Sequence, residues 1–328
     1  MAPNPIPIVI DTDGGVDDAA ALWWALTSPL VEVVAITAVH GNIGVAGAAA
    51  NVCRILHAAG RSDIPVAVGA AAAIGPVPEL RPADFIHGRD GLGETYHPAA
   101  PFDPVAEPAA EMLARLVAER PGELTVVTLG PLSNIGELVR CDPSWAPGVG
   151  RLVVMGGTVA GPGNAQPYAE ANIAHDPDAA AAVVGAAWST PPTLVGLDVT
   201  HAAVFADEHW DALAAGTTPV TAFLATPLAF YRRYAGTLTP SGRCPCHDLL
   251  ATMVAAHAEL VAAPVLPLAV QTTPGPAWGA TVADRRAPLF ARAGPGSVQA
   301  APPGFVPWAI AVDFDVDGYQ AAVTRFFA

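Results

Sequence analysis

The sequence predicts an α/β protein: a Rossmann-like open, mostly parallel β-sheet with helices on both faces. Three observations predict it. Short β-branched runs alternate with longer Ala-rich segments of helical character. The β-branched runs are almost continuously apolar, as strands buried on both faces are. Several of them end in polar or Gly-rich punctuation, where a strand hands over to a loop or helix.

Taken in order, "IPIVI" (6–10) is the first strand, and a helix follows from about Asp17 to Thr27. "VEVVAITAV" (31–39) is the second strand, and 46–60 is a helix stopped by Gly60. "IPVAVG" (64–69) is again a strand, 108–120 a helix, and "ELTVVTLG" (123–130) a strand, with Pro131 at the first position of another helix. "RLVVMGG" (151–157), a helix over Asp176 to Trp188, and "PTLVGLDV" (192–199) repeat the pattern. The Pro-rich stretch 264–307 reads as loops. No Ser/Gly linker, charge run or internal repeat divides the chain, so 1–328 is expected to be a single domain.

The charge balance excludes some partners. The 328 residues hold 30 acidic and 15 basic side chains, for a net charge of −15, and every basic residue is Arg. Nucleic acid and anionic membranes both need a cationic face, so neither is an expected partner. Cys53, Cys141, Cys244 and Cys246 are irregularly spaced, which argues against a disulfide framework. Cys244-Pro-Cys246-His247 has no second Cys/His pair at zinc-site spacing. Residues 1–10 show no basic region followed by a long apolar one, so a cytoplasmic location is expected.

In open α/β sheets, ligands sit at the carboxyl ends of the strands. Four such ends here are IVI-DTDGGVDD, TAV-HGN, VVT-LGPLSN and VVM-GGTVAGPGN. The first places Asp11, Asp13, Asp17 and Asp18 within eight positions. Like charges so crowded raise one another's pKa and destabilise the fold unless a cation joins them. Hard oxygen donors suit Ca²⁺ or Mg²⁺. An EF-hand loop fails, because from Asp11 it would put Gly15 and Leu22 at ligand positions. A phosphate loop fails for want of Lys. An Asp-x-Asp phosphatase of the haloacid-dehalogenase kind usually employs a Lys beside its nucleophile, and so acidic a site repels phosphate. Helix capping accounts for Asp17 or Asp18, at about 0.3–1 kcal/mol each, but Asp11 and Asp13 precede the helix.

These residues resemble the inosine-uridine-preferring nucleoside hydrolase family. Its D-x-D-x-G-x-D-D opening is present as Asp11, Asp13, Gly15, Asp17 and Asp18, with Gly14 where members often carry Pro. In order along the chain follow "VHGN" ending in Asn42, "HGRDGLG" (87–93), "LGPLSN" (129–134), "MGG…GNAQPYAEANIAHDP" (155–177), "LDVTH" (197–201) and "HD" (247–248). The resemblance implies an enzyme that cleaves the N-glycosidic bond of ribonucleosides, releasing base and ribose, with Ca²⁺ as cofactor. It implies Asp13 as a calcium ligand and as base toward the attacking water, with Asp18, the Leu129 carbonyl and Asp248 completing the metal set. It places Asp17, Asn42, Met155, Asn164, Glu170 and Asn172 around the ribose, although one extra residue separates "MGG" from Asn164. His247 becomes the proton donor to the leaving base. His87, Tyr231 and Tyr234 are candidates for base contacts, the tyrosines standing also at i and i+3 of one helix face. Homodimers or homotetramers are implied.

The chemistry is coherent on its own terms. Breaking an N-glycosidic bond builds positive charge on the ribose, which carboxylates stabilise. Electroneutral nucleosides need no Lys. A calcium-dependent nucleoside- or sugar-binding protein without turnover is the alternative from another class. His40, His175 and His201 flank matched segments without an assigned role; Trp23 and Trp24 are expected in the core.

Overall fold

The structure is a computed structural model, and it describes residues 4–239, 241–286 and 302–328. The strands are β1 (Ile6–Thr12), β2 (Val31–Ala38), β3 (Val66–Val68), β4 (Thr125–Thr128), β5 (Arg151–Met155), β6 (Thr193–Val195), β7 (Val261–Ala262), β8 (Val265–Val270), β9 (Thr281–Ala283), β10 (Val306–Ile310) and β11 (Asp313–Phe314). The helices are α1 (Val16–Thr27), α2 (Val45–Ala58), α3 (Asp84–His87), α4 (Ala109–Glu119), α5 (Ser133–Cys141) and α6 (Ala171–His175). They continue with α7 (Pro177–Gly185), α8 (Leu197–Thr200), α9 (Asp207–Ala215), α10 (Pro219–Ala235), α11 (His247–Ala256) and α12 (Val316–Phe327).

Nine strands form one sheet in the order β3-β2-β1-β4-β5-β6-β10-β8-β9, and β7 pairs with β11 apart from it. From β3 to β10 all neighbours are parallel; β8 and β9 are added antiparallel. Alternation along β1 serves both faces. Ile8 and Ile10 join a core that includes α1, α2, α10 and α11, whereas Val9 joins one that includes α4, α5 and α7. The continuous apolar strands of the sequence are thus buried on both sides.

Two expectations are corrected. The Pro-rich 264–307 stretch carries β8, β9 and the start of β10 rather than loops alone, with 287–301 outside the described residues. Proline is tolerated there because Pro267 and Pro307 face each other across the β8–β10 ladder. Each lies just outside the residues paired on its other side, which begin at Leu268 against β9 and Ala309 against β6. The missing N–H groups therefore cost no ladder bond. Pro131 stands two residues ahead of α5 rather than at its first position.

The chain runs outward from β1 through β2 to β3, then returns to lay β4 on the other side of β1. The connections leaving β1 and β4 diverge, and a crevice opens between their carboxyl ends. Helix α1 leaves that crevice packed alongside α11. Its Leu22 is fully buried, worth roughly 1.5–3 kcal/mol. Trp23 meets Phe223 of α10 at 5.6 Å between ring centroids, and Trp24 is also buried, as the sequence predicts. This packing fixes how far the first turn of α1 reaches into the crevice.

Candidate active site

The turn from β1 into α1 is tied residue by residue. Asp11 lies beneath the crevice, its Oδ1 accepting from Thr37 Oγ1 at 2.5 Å and Asn134 Nδ2 at 2.7 Å. Its Oδ2 is buried without a partner, and burial pushes its pKa up to about 7. Gly14 adopts φ 70°, which a proline ring cannot reach. Asn51 Nδ2 donates to its carbonyl at 3.0 Å. Asp13 points the other way, both oxygens held at 2.8 Å by the backbone N–H and Nδ2 of Asn42. That approach requires Gly41, where any Cβ would collide with the Asp13 carboxylate. Thr12 Oγ1 donates to Asp18 Oδ1, and the Gly15 N–H donates to Asp18 Oδ2 at 2.9 Å.

Asp17 and Asp18 occupy the first turn of α1, and Asp248 the first turn of α11. Because the helices pack side by side, two N-termini aim their partial positive charge at one place. Oxygens of Asp17, Asp18 and Asp248 come within 4.8 Å of one another, and all three residues are buried. Burial and the neighbouring Asp18 push Asp17 up to about 7. Burial, then Asp17 and Asp18, raises Asp248 well above the carboxylate range; burial, then Asp18, does the same for Asp13. The sequence reading set Asp13 among the metal ligands and Asp17 on the sugar. In the structure Asp17 joins the converging oxygens, and Asp13, held by Asn42, lies against Asp18 beside them.

This donor set fits a hard divalent cation. Their proton affinity is raised by burial first and by one another second, and no Arg among the described residues counters the shift. Among the described residues, this is the one grouping of three or more His, Cys, Asp or Glu side chains with metal-site spacing; Cys244 and Cys246 are not part of it.

Asp17 and Asp248 border a cavity of about 320 Å³, a size suited to a small-molecule ligand. Leu129, immediately after β4, turns its carbonyl inward, where Asn172 Nδ2 donates to it at 2.9 Å. The same amide reaches the carbonyl and Sδ of Met155 at 3.2 and 3.3 Å. Glu170 caps α6, accepting from the Asn172 and Ile173 N–H groups, and also holds the Gly157 N–H at 3.0 Å. Asn164 Oδ1 accepts from the Ala171 N–H at 2.9 Å. Every ribose candidate, Asp17, Asn42, Met155, Asn164, Glu170 and Asn172, borders this cavity.

The opposite wall is aromatic. His247 opens α11, with Nδ1 2.7 Å from Thr200 Oγ1; burial, with His201 and His87 nearby, pushes its pKa down to about 3. His87 Nδ1 accepts from the Val16 N–H at 3.1 Å, which puts its single proton on Nε2. Tyr231 donates to Asp17 Oδ2 at 3.3 Å and packs on His87 at 5.4 Å between ring centroids. Tyr234 is corrected: it is 42% exposed and does not border the cavity, packing instead on Phe85 at 6.5 Å. Three residues along a helix turn the side chain by about 60°, enough to leave the crevice.

Residues that the sequence reading missed are mostly the supports. Thr12 anchors Asp18, Asn134 anchors Asp11, and Thr200 orients His247. Asp198 holds the loop after β5 through the Val159 and Ala160 N–H groups, each at 2.8 Å. Each lies inside a quoted motif, but only the fold shows what it holds.

A Rossmann-like sheet with converging carboxylates at its switch point, beside a cavity walled by amides and aromatic rings, is an arrangement suited to metal-dependent hydrolysis of a small polar substrate. The chain belongs more narrowly to the inosine-uridine preferring nucleoside hydrolase family, whose sequence profile matches residues 8–320. It is a hydrolase of the N-glycosidic bond of ribonucleosides. Among its relatives, "Probable uridine nucleosidase 2" of Arabidopsis thaliana is 40% identical over 227 residues, 69% of this chain and 70% of the relative. "Pyrimidine-specific ribonucleoside hydrolase RihA" of Citrobacter koseri is 38% identical over 229 residues, 70% of this chain and 72% of the relative. A solved structure, "Plant nucleoside hydrolase - PpNRh1 enzyme", superposes with a TM-score of 0.89 at 32% identity, covering 98% of this chain and 99% of that one.

Proposed function

We propose that the chain hydrolyses pyrimidine ribonucleosides, uridine foremost, with Ca²⁺ held by Asp13, Asp18, Asp248 and the Leu129 carbonyl, and with Asp17 beside them. The names of the relatives at 37–40% identity support the pyrimidine preference. Calcium is supported by donors that are all oxygen, carboxylate and carbonyl together. The observation that carries the reading is the convergence of Asp17, Asp18 and Asp248 with no cationic side chain among the described residues to meet them.

When bound, the ion neutralises these carboxylates and polarises the sugar diol and the attacking water. Asp13, whose proton affinity burial raises, takes the water's proton as its oxygen bonds to C1′ and the C1′–N bond breaks. Asp17 accepts from the 2′-hydroxyl, while Asn42, Met155, Asn164, Glu170 and Asn172 enclose the ribose. Positive charge growing on the sugar is met by the surrounding carboxylates. His247 is neutral at physiological pH. With Thr200 Oγ1 donating to Nδ1, its Nε2–H faces the departing base and, in place of the full proton transfer that the resemblance implies, stabilises the negative charge developing there; the base leaves as an anion and takes its proton from solvent. His87 and Tyr231 stand where a base would stack.

The test incubates the protein with uridine, cytidine and inosine, with and without a chelator, and follows free ribose. Chelation abolishes release and added Ca²⁺ restores it. Asp13→Ala lowers kcat by about 10²–10⁴-fold; unchanged turnover would remove Asp13 from the chemistry. We also infer that residues 1–328 form a single domain, act in the cytosol and assemble as a homodimer or homotetramer, which light scattering checks.

A further inference from the structure

Asn51 of α2 is buried, and its carboxamide serves two limbs of the site at once. Arg54 Nη1 donates to Asn51 Oδ1 at 2.8 Å, while Arg54 Nε donates to the His97 carbonyl at 3.1 Å. A guanidinium only donates, so the atom facing it is the oxygen, and the amide hydrogens of Asn51 are free for other partners. They go to two carbonyls. Gly14, in the turn after Asp13, receives Nδ2 at 3.0 Å, and Asp90, in the loop after His87, receives it at 2.8 Å.

The first bond acts through a peptide plane. In a trans peptide the C=O and the following N–H point in opposite directions. With the Gly14 carbonyl drawn to Asn51, the Gly15 N–H is aimed at Asp18 Oδ2, 2.9 Å away. Gly14 also rests directly on α2: a Cβ there would fall 2.6 Å from the Cα of Ala48, three residues before Asn51. The second bond holds the loop that follows His87. The Gly91 N–H closes onto the Gly88 carbonyl at 3.1 Å, and the Gly93 N–H onto the His87 carbonyl at 2.8 Å. The Asp90 carboxylate gathers the N–H groups of Leu92, Glu94 and Tyr96. The loop is thus folded about Asp90, and whatever pins Asp90 pins the loop. The two limbs touch at Gly91, where a Cβ would lie 2.8 Å from Asn51 Nδ2 and 3.0 Å from the Gly14 oxygen. His87 closes the circuit by accepting from the Val16 N–H of α1 at 3.1 Å.

We propose that Asn51 is a positioning residue that sets the carboxylate turn and the His87 wall with one amide, so that calcium affinity and substrate binding on the base side depend on the same side chain. Arg54 is the outer positioning residue, because it fixes which way that amide faces. The proposal rests on the calcium-dependent ribonucleoside reading above.

Two measurements test it: calorimetric titration of metal-free protein with Ca²⁺, and the KM for uridine at saturating Ca²⁺. Asn51→Leu keeps the shape of the side chain and leaves both carbonyls without their donor. It should weaken Ca²⁺ binding at least about tenfold, the usual effect of losing a group that orients a metal ligand, and raise KM by a similar factor. Val52→Ala, at the fully buried neighbour on the same helix, should lower Tm while moving neither value by more than about twofold. If Asn51→Leu fails to fold, Arg54→Ala carries the test; both values should shift at least about threefold, and unchanged values overturn the proposal. An Asn51→Leu protein with a lower Tm but wild-type Ca²⁺ affinity and KM makes Asn51 merely structural and overturns it too. So does a shift in only one of the two values, or an equal shift in Val52→Ala. Wild-type protein that binds Ca²⁺ and releases ribose keeps the ribonucleoside reading standing through all of these results. Wild-type protein that does neither overturns that reading and the role of Asn51 together.

Discussion

Two carboxylate groups in this molecule are built on opposite principles. On the surface of α4, Arg115 bridges Glu107 at 2.8 Å and Glu119 at 3.3 Å, and the guanidinium holds the Glu107 carboxyl below its ordinary range. At the crevice, Asp13, Asp17, Asp18 and Asp248 are buried together with no Arg among the described residues to meet them. Arg81, which does border the cavity, lies instead over the Phe85 ring at 3.7 Å. The surface group is electrostatically finished and contributes little, because solvent screens it. The crevice group is unfinished within the chain, and its fold holds charges in place that only a cation can satisfy. Function here resides in the arrangement that the protein alone leaves unstable.

Asp248→Asn breaks this contrast most sharply. It removes one of three converging carboxylates, so affinity for Ca²⁺ should fall at least about 100-fold and turnover with it, by calcium titration and ribose release. Stability should move the other way. Without metal the variant should melt above the wild type at pH 8, because like-charge repulsion has been relieved; with saturating Ca²⁺ the order should invert. A metal-free variant melting well below the wild type would show that Asp248 is a structural anchor instead.

The pH dependence sharpens it next. Asp17 keeps its proton to about pH 7 in the fold but only to about 3.8 when free. Between those values the folded state binds more protons than the unfolded one, so metal-free stability falls as pH rises from about 4 through 7. The loss attributed to this carboxylate is complete above its folded pKa. Saturating Ca²⁺ should flatten that part of the slope, which melting curves from pH 5 to 8 with and without chelator measure. Calcium affinity itself should drop below about pH 7, as protons compete for the same oxygens.

The smallest effect belongs to the surface group. Arg115→Ala should shift Tm by about 2 °C or less and leave ribose release unchanged. A larger shift would mean that paired surface charge matters more to this fold than buried unpaired charge.

The alternation of elements was legible because the parallel strands are continuously apolar runs bounded by Gly or polar punctuation, with Ala-rich helical segments between them. The carboxyl-end location of the site followed from the punctuation after β1, β2, β4 and β5. The 264–307 stretch was not legible, since nothing local reveals that Pro267 and Pro307 will face one another across a ladder. Tyr231 and Tyr234 could not be told apart for a related reason: their spacing is helical for either role, and only the packing of α10 puts Tyr231 on the cavity and Tyr234 outside it. Gly14 took a left-handed turn where a Pro in the resemblance pattern would have required another path.

By itself the chain determined the chemistry on offer: oxygen-rich carboxylates, amides, imidazoles and no lysine, at strand ends that must meet in one crevice. It did so because residue type and spacing are local properties. Only tertiary structure decided which oxygens converge, that Asp17 meets Asp18 and Asp248, and which nitrogen of His87 carries its proton. Those outcomes depend on how α1 and α11 pack and on hydrogen bonds between residues more than forty positions apart, and no short-range pattern encodes them.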